Sequence, residues 1–274
     1  MRRGLCRMAL GLSLLPGLAW AQESFDCVIE PSLTLRLSSP ITGIIASIEV
    51  ERGQAVTRGQ VVARMESTVE AATLELARAR AVSTAEVEAR RARLDQIRSE
   101  VARAASLHER SVVSTQRLEE LRANAQIATS ELALAELNRR LSAIEAQRVE
   151  AALEQRTIRS PVDGVVTGRN LGPGEYVNQE NHILSVAQLN PLHVETFLPV
   201  RLHGRVRLGT SATVRPDPPV GGVYSAEIRV VDDVFDAASG TFGVRLTLPN
   251  ADRALPGGVR CRISFDGVGA AALR

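Results

Sequence analysis

Four histidines and three cysteines are the side chains of this chain best suited to metal binding, acid–base work or thiol chemistry. Their arrangement gives them little of it to do. His108, His182, His193 and His203 fall into no HExxH or other ligand spacing, and none stands beside a cysteine or a carboxylate pair that would complete a site. No nucleophile elbow and no phosphate loop occurs. All 33 basic residues are arginine. Every chemistry that needs a lysine amine, from Schiff bases to biotinyl or lipoyl attachment, is therefore excluded. The sequence reads as non-enzymatic, without cofactor or metal.

Function must then lie in shape, and the sequence says something about shape twice. "SPITGII" begins at Ser39 and "SPVDGVV" at Ser160, 121 positions later. At the same offset Gly43 matches Gly164, Gly53 matches Gly174 and Val56 matches Val177. A constant offset means two copies of one small β-unit with a long insert between them. Each copy is too small to bury a core by itself, but together they reach around 60 residues.

The insert, from about Thr68 to Gln155, loses glycine and proline and becomes rich in Ala, Glu, Arg, Leu and Gln, the composition of long helices. In its first arm Val69, Ala72, Leu76 and Ala79 follow a 3-4 spacing, and Leu94, Ile97, Val101 and Ala104 follow it again out of step. In the second arm Leu118, Leu121, Ala125, Ala128, Leu132 and Ala135 give way to a shifted run, Leu134, Leu137, Leu141 and Ile144. The spacing predicts a coiled coil with a stutter in each arm. The stutters fall near residues 85 and 137, symmetric about residue 111, as an antiparallel hairpin would place them. "HERSVVST" (108–115) supplies the turn. Arms of about 42 residues would reach roughly 60 Å.

After the second copy the period becomes two. "TFGVRLTL" places Phe242, Val244, Leu246 and Leu248 on one face, and "GGVRCRISF" does the same with Val259, Cys261, Ile263 and Phe265. Frequent turn signals between such strands predict a small barrel or sandwich from about Asn190 to Phe265.

Residues 1–21 read as a signal peptide: Arg2, Arg3 and Arg7, an apolar run from Met8 to Leu18, then Ala19 and Ala21 at a cleavage site. An uncleaved anchor is the alternative, although the run is short of the roughly 20 residues that span a bilayer. Without those residues the chain carries 30 basic against 31 acidic residues, net −1. The basic balance of the whole belongs to its first segment. With aromatics at 3%, nothing favours nucleic acid as a partner. A soluble periplasmic protein, held at the envelope through its partners, is expected.

The glycine-turn phrases "VERGQAVTRGQVVARM" and "NLGPGEYVNQENHILSV" resemble the lipoyl/biotinyl fold, with a hairpin where carriers present their lysine. A split lipoyl-like domain, a helical hairpin and a following barrel with "GTFGVRLTLPNADRALPGG" (240–258) together resemble the periplasmic adaptor proteins of tripartite efflux pumps. These are also called membrane fusion proteins, of the HlyD and resistance-nodulation-division (RND) type. The resemblance implies a mixed α and β fold, elongated: a split lipoyl-like β-sandwich interrupted by a long antiparallel coiled-coil hairpin, then a small β-barrel. Its segments would be a signal peptide (1–21), an N-terminal strand contributing to the barrel (22–37) and the first lipoyl-like half (38–66). The hairpin (67–156), the second half (157–189), the barrel (190–266) and a C-terminal tail (267–274) would follow. With little sequence outside these segments, a membrane-proximal domain is expected to be reduced, which leaves the class of pump open.

The resemblance also implies partners: an outer-membrane channel of the TolC type, an inner-membrane pump (RND or ABC), and further copies of the chain, trimer to hexamer, in one conduit. A non-transport envelope scaffold is the alternative. The family's channel-docking signature is an Arg, a Leu four residues on and a Ser seven residues further. "RAASLHERSVVS" supplies it as Arg103, Leu107 and Ser114. Arg offers a planar fork for carboxylates or carbonyls and Leu a filling for an apolar slot. Ser114 could equally be a helix N-cap, Leu107 a seam residue and Arg103 a solvated charge. In the same architecture Cys27 and Cys261 both belong to the barrel, on the apolar side of their strands. They are either a disulfide or two buried thiols.

Overall fold

The computed structural model describes residues 23–178 and 180–265. The expected signal peptide (1–21) and tail (267–274) lie outside the described residues. The strands and helices follow one another as β1 (Ser24–Leu37), β2 (Gly43–Ile48), β3 (Ala55–Val56), β4 (Val61–Met65), α1 (Thr68–Val82), α2 (Ala85–Glu109) and α3 (Thr115–Glu154). After them come β5 (Thr157–Arg159), β6 (Gly164–Arg169), β7 (Tyr176–Val177), β8 (Leu184–Pro199), β9 (Ser211–Pro216), β10 (Tyr224–Val231), β11 (Thr241–Leu248) and β12 (Val259–Phe265). Leu35–Val186 forms one compact unit. Residues 23–34 and 187–265 form another.

In the first unit the two sequence copies exchange strands. β2 of the first copy pairs with β7 of the second, and β6 of the second pairs with β3 of the first. The hydrogen bonds come in pairs related by the 121-residue offset. Gly53 N donates to Val166 O at 2.8 Å, and Gly174 N to Ile45 O at 2.8 Å. Ile45 N donates to Glu175 O at 2.9 Å, and Val166 N to Gln54 O at 3.0 Å. Gly53 and Gly174 share a left-handed backbone, φ 86° and 85°, which only glycine adopts at little strain. The buried hydroxyls of Ser39 and Ser160 each donate to the carbonyl two residues on, Ile41 and Val162. Ile45, Val50, Val56, Val62, Val166, Val177 and Ile183 fill the common core.

The hairpin leaves this sandwich between β4 and β5, which pair antiparallel. Met65 N donates to Arg156 O at 2.8 Å across its root. The Arg156 guanidinium pairs with Glu70 of α1, and both side chains are largely buried. A Cβ on Gly43 would stand 2.7 Å from Arg156 Nη1 and 2.9 Å from Met65 Cε, so the bare backbone there makes room for the guanidinium.

The hairpin is antiparallel, but its seam differs from the one the spacing suggests. Leu74 and Ala77 of α1 are the buried residues, packed on Ala146 and Val149 of α3, whereas Val69 and Leu76 face outward. Further out Leu94 and Ile97 pack on Ala128, then Ala104 on Leu118 and Leu121. On α3 the buried set Leu118, Leu121, Ala128, Ala135, Ala146 and Val149 keeps one heptad frame throughout. No stutter occurs in the second arm. The run Leu134, Leu137, Leu141 and Ile144 is exposed. In the first arm the shift is a break, with Ser83 extended (φ −64°, ψ 123°) and Thr84 not capping α2 through its side chain. Opposite the break, the heptad frame of α3 puts Arg139 and Ser142 at seam positions, so the apolar seam is interrupted there by polar groups.

In the second unit β1, β12, β9, β10, β11 and β8 pair in that order, and β1 also pairs with β8, closing a barrel. Closure removes the exposed sheet edges. Phe242, Val244, Leu246 and Leu248 of β11 are all buried, with Ile29, Leu192, Val214, Ile228 and Ile263 around them. The loop after β11 is held from inside by Asn250. Its amide donates to Leu189 O and Leu255 O, and its oxygen accepts from Leu255 N. No helix among the described residues is long and apolar enough to cross a membrane.

Cys27 and Cys261 face each other directly in the β1–β12 register, with Cα atoms 4.9 Å apart, and form a disulfide. A bond across 234 residues restricts the unfolded chain by about 5 kcal/mol in the chain-entropy treatment. Protein denatured without reductant should therefore show no reactive thiol at either cysteine, and reductant should lower its melting temperature. Peptide mapping that finds both cysteines labelled before reduction would mean that the bond is absent in solution. A second expectation concerns the root: Arg156→Ala leaves Glu70 without its partner and should destabilise by about 1–3 kcal/mol. Denaturant titration beside Arg78→Ala, whose exposed pair with Glu150 contributes little, checks it.

Candidate docking tip and the family of the fold

α2 ends in a Schellman turn. Val112 N donates to Leu107 O at 3.0 Å and Ser111 N to His108 O at 2.8 Å, with Ser111 in the left-handed region at φ 57°. Serine is uncommon there, because its Cβ crowds the backbone, and the surrounding bonds must hold it. One of them is the imidazole of His108, whose Nδ1 lies 2.8 Å from Val113 O and must carry its proton to donate. α3 then starts at Ser114, whose Oγ accepts from Arg117 N at 3.3 Å. Several backbone groups of the turn are thus occupied within the chain, while Val112 faces outward.

Arg103 and Leu107 stand one helical turn apart on α2 and both are exposed. Leu107, 40% exposed, belongs to none of the buried seam clusters. Arg103 forms no ion pair with another described residue. Ser114 lies across the turn and serves as the N-cap. Sequence reasoning passed over Val112 and placed His108 at the turn without its bond. Val112 is 69% exposed at the apex, an apolar side chain presented to solvent by a left-handed turn. His108 fastens that turn. The only hint of Val112 in the sequence was its position inside "HERSVVST".

Elsewhere the chemistry is sparse. Among the described residues no group of three or more His, Cys, Asp or Glu is placed to hold a metal ion. His203 is packed edge-on against Phe235 and Phe242, with ring centroids 4.8 and 5.1 Å away, which is a packing role. A trough on the barrel wall, lined by Asp26, Glu195, Phe197, Asp217, Arg260 and Arg262, mixes both signs of charge without a convergent set.

Residues 33–188 match the family described as CzcB-like, barrel-sandwich hybrid domain. A protein of Haemophilus influenzae is 25% identical over 229 residues, which are 82% of this chain and 52% of that protein, so the chain spans about half of that relative's length. Among solved structures, MacA from Actinobacillus actinomycetemcomitans superposes with a TM-score of 0.76 at 23% identity, covering 96% of this chain and 82% of MacA. The membrane fusion protein Spr0693 from Streptococcus pneumoniae superposes at 0.60 with 14% identity, covering 89% of this chain and 98% of that structure. Identities this low speak for the fold alone, while the family match covers more than half of the sequence. The chain therefore belongs to the CzcB-like barrel-sandwich hybrid family and carries the fold of the membrane fusion proteins.

Proposed function

We propose that this protein is a periplasmic adaptor of a tripartite efflux or secretion system. It bridges an inner-membrane transporter, of RND or ABC type, to an outer-membrane channel of TolC type, and works as a homo-oligomer of three to six copies. The observation that carries this reading is the tip itself. A turn held by its own hydrogen bonds, with the last turns of α2, presents Arg103, Leu107 and Val112 outward at the end of helical arms that reach roughly 60 Å from the sandwich. A charged fork beside apolar anchors suits a groove between the helices of a partner. The family membership and the membrane-fusion fold support an adaptor role. The tip signature supports the channel as the partner that it meets.

In a strain lacking the chromosomal copy, export of toxic compounds and metals should fall and wild-type protein should restore it. Arg103→Asp and Leu107→Asp should each fail to restore it, because a reversed or buried charge at a docking contact costs about 2–5 kcal/mol. Helicity and melting temperature should stay unchanged, since both side chains face solvent. Restoration by both variants would remove the tip from the mechanism. A deletion strain that exports normally would favour the envelope-scaffold alternative.

A further inference from the structure

The first arm and α3 do not take the same number of residues to climb the hairpin. In antiparallel order within the buried clusters, Leu74 is level with Val149 and Ala77 with Ala146. Further out Leu94 is level with Ala128 and Ala104 with Leu118. From Leu94 to Ala104 the first arm advances ten residues, and α3 from Ala128 to Leu118 also ten. One heptad nearer the root stand Val87 and Ala135, both buried. From Ala77 to Val87 the first arm again takes ten residues, but α3 takes eleven from Ala146 to Ala135. The first arm is one residue short, and the shortfall falls at the break.

The backbone of Ser83 makes up the difference. A helical residue rises about 1.5 Å and an extended one about 3.3 Å, so an extended Ser83 adds roughly what the missing residue would have spanned. Had the helix run on instead, the apolar face of α2 would point about 100° away from the seam. The break is therefore set by the residue count of the arm.

Little else spans it. Between the layer of Ala77 and that of Val87 the seam positions hold Ala81, Thr84, Arg139 and Ser142, none of them fully buried. Ion pairs join the arms on the root side, Arg78 with Glu150, and on the outer side, Arg90 with Glu131 and Arg91 with Glu136. Among the described residues none joins 79–89 to 137–149. Hollows of about 320 Å³ beside Leu76, Arg80 and Leu141, and of about 280 Å³ beside Thr84, Arg91 and Arg139, flank the break. A segment with so few buried contacts and an interrupted hydrogen-bond ladder opens at low cost. Opposite it α3 runs unbroken from Thr115 to Glu154, and a long helix curves without breaking.

From this mismatch we propose that the hairpin carries a joint at Ser83. The outer part, α2 with the facing half of α3, swings against the root part, and α3 is the strip that flexes. The joint follows from the hairpin alone. Its use, letting the tip meet a partner over a range of angles while the sandwich stays still, rests on the adaptor reading.

The test uses full-length protein, in which the disulfide leaves Cys27 and Cys261 unreactive. Spin labels at Glu75→Cys and Ala102→Cys span the break at roughly 40 Å, and labels at Ala89→Cys and Ser106→Cys lie within α2. The distance distribution across the break should be at least about twice as wide as that within α2, and amides 83–86 should exchange about tenfold or more faster than those around Ile97. Equal widths, or equal exchange, would overturn the joint. One alanine inserted after Ser83, combined with Ser83→Ala, restores the missing residue and should narrow the first distribution to the width of the second without lowering the melting temperature. The same insertion after Glu100 throws Val101 and Ala104 out of frame and should lower it. Equal destabilisation by both insertions would overturn the residue count. In the deletion strain the healed hairpin should restore less export than wild type at equal protein level, and full restoration would overturn the use in docking. A deletion strain that exports normally would count against the adaptor reading alone, with the joint still decided by the distance widths.

Discussion

Everything in the unit that carries the hairpin depends on the exchange of strands between two copies of one short β-motif. Each copy is completed only by strands of the other, beyond the pairing of β2 with β4 inside the first. β2 needs β7, and β3 needs β6. Until residue 177 is in place the first copy has no complete partner, so whatever lies between the copies is gathered at its two ends by the sandwich. This is how a hairpin of 40 helical residues in each direction comes to leave from adjacent strands. It is also why the root is crowded: Gly43, Met65, Glu70 and Arg156 meet where the two ends are forced together.

The hairpin obeys a different rule, and there the sequence misleads in an instructive way. Hydrophobic spacing identifies a helix face that wants cover, but it cannot say what will cover it. Both arms carry two such faces in their root parts. Counting leucines favours Leu76, Leu134 and Leu141, whereas the folded chain buries a mixed set in the root part, Leu74, Ala77, Ala135, Ala146 and Val149, in which alanines let the two helices approach closely. The apparent stutters were the crossing from one face to the other. Only the break at Ser83 is real. The repeats, the antiparallel turn and the alternating strands were legible because each depends on local spacing or on an exact offset. Partner choice between two equally apolar faces depends on tertiary contact, which spacing does not encode.

The tip was legible in part. Arg103, Leu107 and Ser114 could be located from a family signature; Leu107 and Ser114 flank the turn, and Arg103 stands one helical turn before Leu107 on α2. What Ser114 does in the free chain, capping α3, follows from residue type alone. What could not be read is the backbone: a serine held left-handed, a histidine fastened to a carbonyl five residues on, and a valine raised to the apex as a result. Such features arise from the closing of one turn and leave no periodic trace. The cysteines behave similarly. Their alternation with apolar neighbours placed them on inward faces, but their meeting is a matter of strand register over 234 residues.

The way the arms join the sandwich decides how the protein answers a mechanical pull. Tension applied at the turn travels down both arms and enters β4 and β5 at the same end and in the same direction. These two strands then move together, and the bonds between them feel little relative displacement. The stress passes instead to β2, bonded along the other side of β4. There it acts along the strands and across the hydrogen bonds, so the bonds share the strain and do not open one after another. A hairpin inserted between neighbouring antiparallel strands is thus a lever whose attachment is stiff in the direction in which it reaches.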